Sequence, residues 1–276
     1  MTGRHTGGGD DDASPDAWAE LGSLVHERVA PSDARVAAAS DPMTEPATLA
    51  LLATAKERSI RRAVAQNPNA TPKTLVALAA EFPDEFFDNP ALLFYLLEDP
   101  AMFQTMPEEA LVRLVPHPAM PAGLLPALAR HPAFYVRRAA ALNPRMPPEV
   151  LVELAEGQSF FEEVAQNPNT PPAYLLKLGR HDWAPVRKAV AGNAAAPEEA
   201  LFALANDGVK AVRASVMQNG ALTGDTLRRL AEHPSALARL TLAESGRASP
   251  SELTRLEADT DAAVRFAASR HKRAGR

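Results

Sequence analysis

The sequence predicts an all-α solenoid, and three observations predict it. A phrase recurs: Arg61-Arg-Ala-Val-Ala-Gln-Asn-Pro68 returns as Arg137-Arg-Ala-Ala-Ala-Leu-Asn-Pro144, with variants at Arg187 to Asn193, Arg213 to Asn219, Arg239 to Ser245 and Arg265 to His271. The spacing is regular, since the steps Arg187 to Arg213, to Arg239 and to Arg265 are 26 residues each. Pairs of leucines three apart then follow each phrase at a constant offset. A period of this size means stacked supersecondary units that share a one-dimensional core.

The first element of each unit is the phrase itself. Val186-Arg-Lys-Ala-Val-Ala191 is short and rich in small residues, with apolar positions at i, i+3 and i+4. Alanine favours helix and lets backbones approach closely. An anchor residue ends the phrase: Asp41, Asn67, Asn89, His117, Asn143, Asn167, Asn193, Asn219, Ser245 and His271. Asn suits such a turn because it tolerates the left-handed conformation and its side chain bonds nearby backbone. The Asn row (Asn67, Asn143, Asn167, Asn193, Asn219) is therefore expected to be a structural ladder. Pro68, Pro144 and Pro168 follow directly and stop the helix.

The second element starts a few residues later. Thr71-Pro72, Thr170-Pro171 and Ser249-Pro250 each place an N-cap hydroxyl before a proline at the first helical position, and Ser249 with Glu252 forms a candidate capping box. The leucine pairs are Leu49/Leu52, Leu75/Leu78, Leu125/Leu128, Leu151/Leu154, Leu175/Leu178, Leu201/Leu204, Leu227/Leu230 and Leu253/Leu256. One face of each second helix should be buried against its neighbours.

The ends and one internal stretch differ. Residues 1–15 read as a disordered tail, in which Asp10–Asp12 is solvated charge. Residues 16–32 read as an N-terminal capping helix, with Trp18, Leu21, Leu24 and Val25 on one side of Ala17–Val29. The repeat array fills 33–276. Within it, 80–116 is irregular: Phe82, Phe86, Phe87, Phe94, Tyr95 and Phe103 crowd together among prolines, and Leu92, Leu93, Leu96 and Leu97 suggest a buried helix.

The motif Val-Arg-x-Ala-Val-Ala-x-Asn-Pro-x-Thr-Pro-x-x-x-Leu-x-x-Leu-Ala resembles the leucine-rich repeat variant family. It stands here as Arg61 to Ala79, Val136 to Ala155, Val164 to Leu178 and Val186 to Ala205. The resemblance covers about residues 33–276 and implies a right-handed α-helical solenoid of about ten two-helix repeats, 24–26 residues each, in which α-helices alternate with second helices that are short or 3₁₀. Some members of that family carry a cysteine cluster for an Fe–S centre before the repeats. This chain has no cysteine, so that feature does not carry over. The repeats here are mostly 26 residues long, which favours two genuine α-helices per unit, closer to HEAT-like pairs. Asp182 before Arg187 and Asp207 before Arg213 are also HEAT-like.

Composition narrows the function. The net charge is −5, which disfavours a polyanion ligand, and the absent cysteines exclude thiolate metal sites. No apolar run is long enough to suggest a membrane span, and no signal peptide is evident, so a soluble cytoplasmic protein is expected. No hydrolase triad, phosphate-binding glycine loop or zinc motif appears. No catalytic residue, cofactor site or metal site is assigned. His131, His181 and His233 share one repeat offset, but stacking would set them about 20 Å apart, too far to share an ion. They are expected to cap first helices.

The arginine row (Arg35, Arg61, Arg137, Arg187, Arg213, Arg239, Arg265) has two readings. The first is an internal ladder that pairs each guanidinium with an Asp or a helix-end carbonyl of the next unit. The second is an anion-tracking ladder. Regular recurrence favours the first. The expected role is a non-enzymatic protein–protein interaction scaffold whose partner is another protein or peptide. Recognition would use side chains that vary between repeats: Lys73, Glu149, Tyr174, Lys177, Glu199 and Arg229 on second helices, with Arg62, Arg138 and Lys188 beside the arginine row. The alternative is nucleic-acid binding along an exposed arginine row, similar to HEAT-like alkylation-repeat proteins.

Overall fold

A computed structural model describes residues 32–158 and 160–274. The expected tail and the capping helix lie outside the described residues, apart from Ser32, where the first described helix begins. The described residues are helices, turns and coil, with no strand among them. The chain divides into two units, one ending at Met120 and the other beginning at Pro121. Each is an all-α stack of helical repeats.

In the first unit, helices α1 (Ser32–Ser40), α3 (Arg58–Gln66) and α5 (Pro83–Asp88) are first helices, packed side by side. The second helices α2 (Pro46–Leu52) and α4 (Pro72–Leu78) form the other layer. Three more helices complete the unit: α6 (Leu92–Glu98), α7 (Met102–Thr105) and α8 (Glu108–Leu114). In the second unit, a 3₁₀ turn at Ala122–Leu124 runs into α9 (Leu125–Leu128). Then α10 (Phe134–Leu142), α12 (Phe161–Gln166), α14 (Ala184–Gly192), α16 (Lys210–Gln218), α18 (Ala236–Ser245) and α20 (Ala262–Ala274) stack as first helices. Between them lie α11 (Pro148–Gln158), α13 (Pro172–Leu178), α15 (Glu198–Leu204), α17 (Gly224–Ala231) and α19 (Pro250–Glu257). The second helices are thus α-helical, with 3₁₀ geometry entering only before α9.

The expected leucine pairs are buried from Leu49/Leu52 to Leu227/Leu230. In the last pair Leu256 is buried and Leu253 half-buried. The capping box of Ser249 and Glu252 forms at the start of α19, and Thr71 accepts from the Thr74 N–H at the start of α4. Thr170 does not cap its helix. Pro171-Pro172 delays α13 by one residue, and the Thr170 hydroxyl instead donates to the Val164 carbonyl.

The stretch 80–116 departs from the expectation. Phe82, Phe86 and Phe103 are buried, with Phe86 and Phe103 edge to face at 6.2 Å. Leu92 alone of its leucine group is buried. Leu96 is half-buried, and Leu93 and Leu97 are 70% and 73% exposed. The reason is that α8 packs on α4 and supplies the buried pair Leu111/Leu114. Helix α6 is an extra element, tied by the Tyr95 hydroxyl to the Ala70 carbonyl of the preceding turn at 2.9 Å. Its outer face, including Phe94, is left to solvent.

The asparagine row joins successive repeats. The left-handed conformation that Asn tolerates is not used: Asn67, Asn143, Asn167, Asn193 and Asn219 are extended, with ψ between 122° and 127°. The only described glycine with positive φ is Gly246. Distant carbonyls, not local strain, select Asn. Nδ2 of Asn193 donates to the carbonyls of Ala165 (2.8 Å) and Asn167 (2.9 Å), both one repeat earlier. Its Oδ1 accepts from the Ala195 N–H at 2.8 Å. Asn167 grips Ala141 and Asn143 in the same way, and Asn219 grips Ala191 and Asn193. In the first unit Asn67 holds Ala39 and Asp41, and Asn89 holds Ala65 and Asn67.

The last carbonyls of a helix have no intrahelical partner, and burial without one is costly. Asn67, Asn89, Asn167, Asn193 and Asn219 each satisfy such a carbonyl on the preceding first helix together with the carbonyl of the anchor that follows it. Where Ser245 replaces Asn, Arg247 reaches back to the Met217 and Asn219 carbonyls instead. Substituting Asn193→Ala should therefore destabilise the protein by about 2–4 kcal/mol, the cost of stranding two buried carbonyls. Equilibrium urea denaturation measures it, and a loss below about 0.5 kcal/mol, the range of an ordinary surface substitution, would contradict the assignment.

Candidate interaction surface

The row arginines are buried or half-buried from Arg35 to Arg239, and Arg265 is exposed. Nη1 of Arg61 donates to the Ala55 and Lys56 carbonyls at 2.6 and 2.7 Å, while Nε and Nη2 grip the Glu81 carboxylate at 2.9 and 2.7 Å. Arg187 holds the His181 and Asp182 carbonyls and the Asp207 carboxylate. Arg239 holds His233, Pro234 and Asp259 likewise. The carbonyls belong to the turn before the arginine's own helix, not to the next unit. The next unit supplies the acid, 20 residues on. Asp182 thus serves Arg187 through its backbone, and Asp207 is the side-chain partner.

Where the residue 20 positions on is not acidic, the clamp is incomplete. For Arg137 it is Gly157, and the guanidinium lies over the rings of Phe134 and Phe160 while holding the His131 and Pro132 carbonyls. For Arg213 it is His233, and the one hydrogen bond found for this side chain among the described residues goes to the Asp207 carbonyl. Among the described residues Arg265 holds the carbonyls of Asp259 and Thr260 and no acid, and Arg35 pairs with Glu57.

His131, His181 and His233 close the turns before first helices. Each accepts on Nδ1 from the N–H two residues on, at 3.0–3.1 Å. Asp207 and Asp259 use a carboxylate oxygen for the same bond. His117 makes the same turn, and its Nε2 reaches Asp84 across a ring stacked on Phe87. Among the described residues no three His, Cys, Asp or Glu side chains are grouped to hold a metal ion, and no helix is long and apolar enough to cross a membrane.

The candidate contact residues divide. Lys73, Glu149, Lys188 and Glu199 are exposed. Arg62 pairs with Glu85, Arg138 with Glu163 at 2.7 Å and Lys177 with Glu156 at 2.8 Å. Arg229 lies over the Phe202 ring. Tyr174 is a correction: it is only 8% exposed. Varying between repeats did not make it a surface residue, because it sits next to Leu175 on the inward side of α13, where burial pushes its hydroxyl above the usual phenol range. The larger apolar surface lies elsewhere. Phe134, Tyr135, Trp183, Val209 and Phe266 are exposed on first helices or the turns that start them. Sequence reasoning missed them, although a large apolar residue beside a row of alanines was a visible signal.

The clamp acids are shifted together. The Arg61 hydrogen bond holds Glu81 below the ordinary carboxylate range, and that of Arg239 does the same for Asp259. For Asp207 burial pushes upward, but the Arg187 bond, the Val209 N–H and the charges of Arg187 and Arg213 outweigh it, and the net direction is down. A depressed folded-state value adds stability that is present above the unfolded value of about 4 and is lost as pH falls through the folded one. Thermal melts should thus fall steeply below about pH 4. Asp259→Asn should cost about 1–2 kcal/mol at neutral pH, and the variant's acid limb should be shallower. Superimposable acid limbs for the two proteins would contradict the clamp.

Comparison with known proteins adds little. No protein-family profile matches the chain, and no curated protein does. Among solved structures, it is 24% identical to one described as a leucine-rich repeat variant with a novel repetitive structural motif, over 79% of this chain and 88% of that one, with a TM-score of 0.46. It is 19% identical to an engineered protein over 91% and 94% of the two chains, with a TM-score of 0.19.

Proposed function

We propose that this chain is a non-enzymatic protein-binding scaffold, a helical repeat protein of the leucine-rich repeat variant kind. The observation that carries the reading is the division of labour within each repeat. Arginines, asparagines and histidines that could have met a ligand are committed to the chain's own carbonyls and acids. Large apolar side chains such as Tyr135, Trp183 and Phe266 stand free on the first helices. Aromatic anchors of this kind dominate protein interfaces. The family reading rests on the recurring Arg, Asn-Pro and leucine-pair positions of the sequence.

On this reading the contact surface is the exposed side of the first helices. Arg138 and Lys188 lie along it, while Lys73, Glu149, Lys177, Glu199 and Arg229 on the second helices provide solvation. Nucleic-acid binding along the arginine row is not favoured, because Arg61, Arg187 and Arg239 already grip a carboxylate.

The test compares immobilised wild-type protein with a Tyr135→Ser/Trp183→Ser variant in capturing proteins from native lysate at moderate salt. The expected result is a discrete captured set, reduced about tenfold or more by the double substitution. An identical set on both proteins would overturn the surface. Duplex DNA retained by the wild type with a steep salt dependence would overturn the scaffold reading in favour of nucleic acid.

A further inference from the structure

The position after each row arginine changes character along the chain. After Arg35 it is Val36; it is then Arg62, Arg138 and Lys188 in the middle repeats and Ala214, Leu240 and Phe266 in the last three. Arg62 and Arg138 are ion-paired to acids of the following repeat. In the last three repeats an apolar floor replaces them. A groove of about 650 Å³ opens there across α16, α18 and α20, floored by Met217, Leu240 and Phe266. Phe266 is 64% exposed although its neighbours on the helix, Val264 and Ala267, are buried.

The groove's walls are cationic. Lys210, Arg213 and Arg270 line it against one carboxylate, that of Glu244. None of the three cations has a carboxylate within ion-pairing distance among the described residues, whereas Arg187 and Arg239 on the flanking repeats are both clamped. Arg213 escapes the clamp because His233 stands where its acid would be. The row arginine that lines the groove is thus one that keeps donors to spare. The next groove along, across α12, α14 and α16, carries Glu162 and Lys188 and has no net preference for either sign. A long polyanion would find no continuing basic track, so a short acidic segment fits better than nucleic acid.

We propose that the groove across α16, α18 and α20 docks an acidic peptide segment of a partner protein. Carboxylates meet Lys210, Arg213 and Arg270, and one large apolar side chain rests on Met217, Leu240 and Phe266. The proposal rests on the scaffold reading and assigns it one site and one partner chemistry. Cation–carboxylate contacts supply orientation and the buried apolar anchor supplies most of the affinity.

The test is fluorescence anisotropy on the full chain with three labelled probes. The first is a short synthetic peptide of Asp and Glu flanking a single Phe, the second has Gly in place of Phe, and the third is a single-stranded oligonucleotide. The first peptide should bind, and the second about tenfold more weakly. Lys210→Glu/Arg270→Glu and, separately, Phe266→Ala should each weaken the first about tenfold or more. Arg113→Glu, on the exposed side of α8, should leave it unchanged. All four positions are exposed, and unaltered thermal melts will show that the variants are folded. Equal binding of the first peptide by every variant would overturn the groove while leaving the scaffold reading intact. Binding of the oligonucleotide in preference to the peptide, or of no probe at all, would overturn the proposal. The capture experiment above judges the scaffold reading separately.

Discussion

The structure depends on one constraint: the last carbonyls of each first helix are covered by the next repeat and must still be hydrogen-bonded. A primary amide meets it. Its two N–H groups reach two carbonyls of the repeat before, and its oxygen accepts the N–H that turns the chain towards the next helix, as Asn193 does. Aspartate would lack the donors and alanine both halves. The Asn-Pro pair is thus a stacking device before it is a turn. Arg247 supports this view, since a different side chain makes the same two-carbonyl grip where Ser245 stands in the Asn position.

The second constraint is electrostatic. On six of the first helices a guanidinium, from Arg61 to Arg265, holds carbonyls of the turn before it, and Arg61, Arg187 and Arg239 also grip both oxygens of an acid of the next repeat. These bidentate pairs are partly shielded from water, where charge-assisted hydrogen bonds count for more than exposed pairs. Once the row arginines and asparagines are committed in this way, part of what the first helices still expose is apolar, as at Tyr135 and Phe266.

Much of this was legible in the sequence. Leucine pairs at a constant offset, prolines at helix starts and the Ser249–Glu252 capping box reflect local rules that hold whatever surrounds them. The misreadings arose where a distant neighbour decides. Leu93 and Leu97 have the apolar spacing of a core helix, yet the core position had gone to α8. Tyr174 varies between repeats and so resembled a contact residue, but it lies on the inward side of its helix. Asn was read as bonding nearby backbone, a local habit of the residue, while its amide donates to the previous repeat and its own backbone is extended. The acids 20 residues after the arginines were hidden because histidine or glycine occupies the same position in alternate copies.

That alternation also groups the second unit. The seam between α14 and α16 is riveted by Arg187 and Asp207, and the seam between α18 and α20 by Arg239 and Asp259. The seam between α16 and α18, where His233 takes the sequence position of the acid for Arg213, has no such rivet among the described residues. The last four first helices therefore form two doublets, α14 with α16 and α18 with α20, each riveted within and joined to the other without such a pair. A partner lying across that joint would act as the missing rivet and stiffen the far end of the stack on binding.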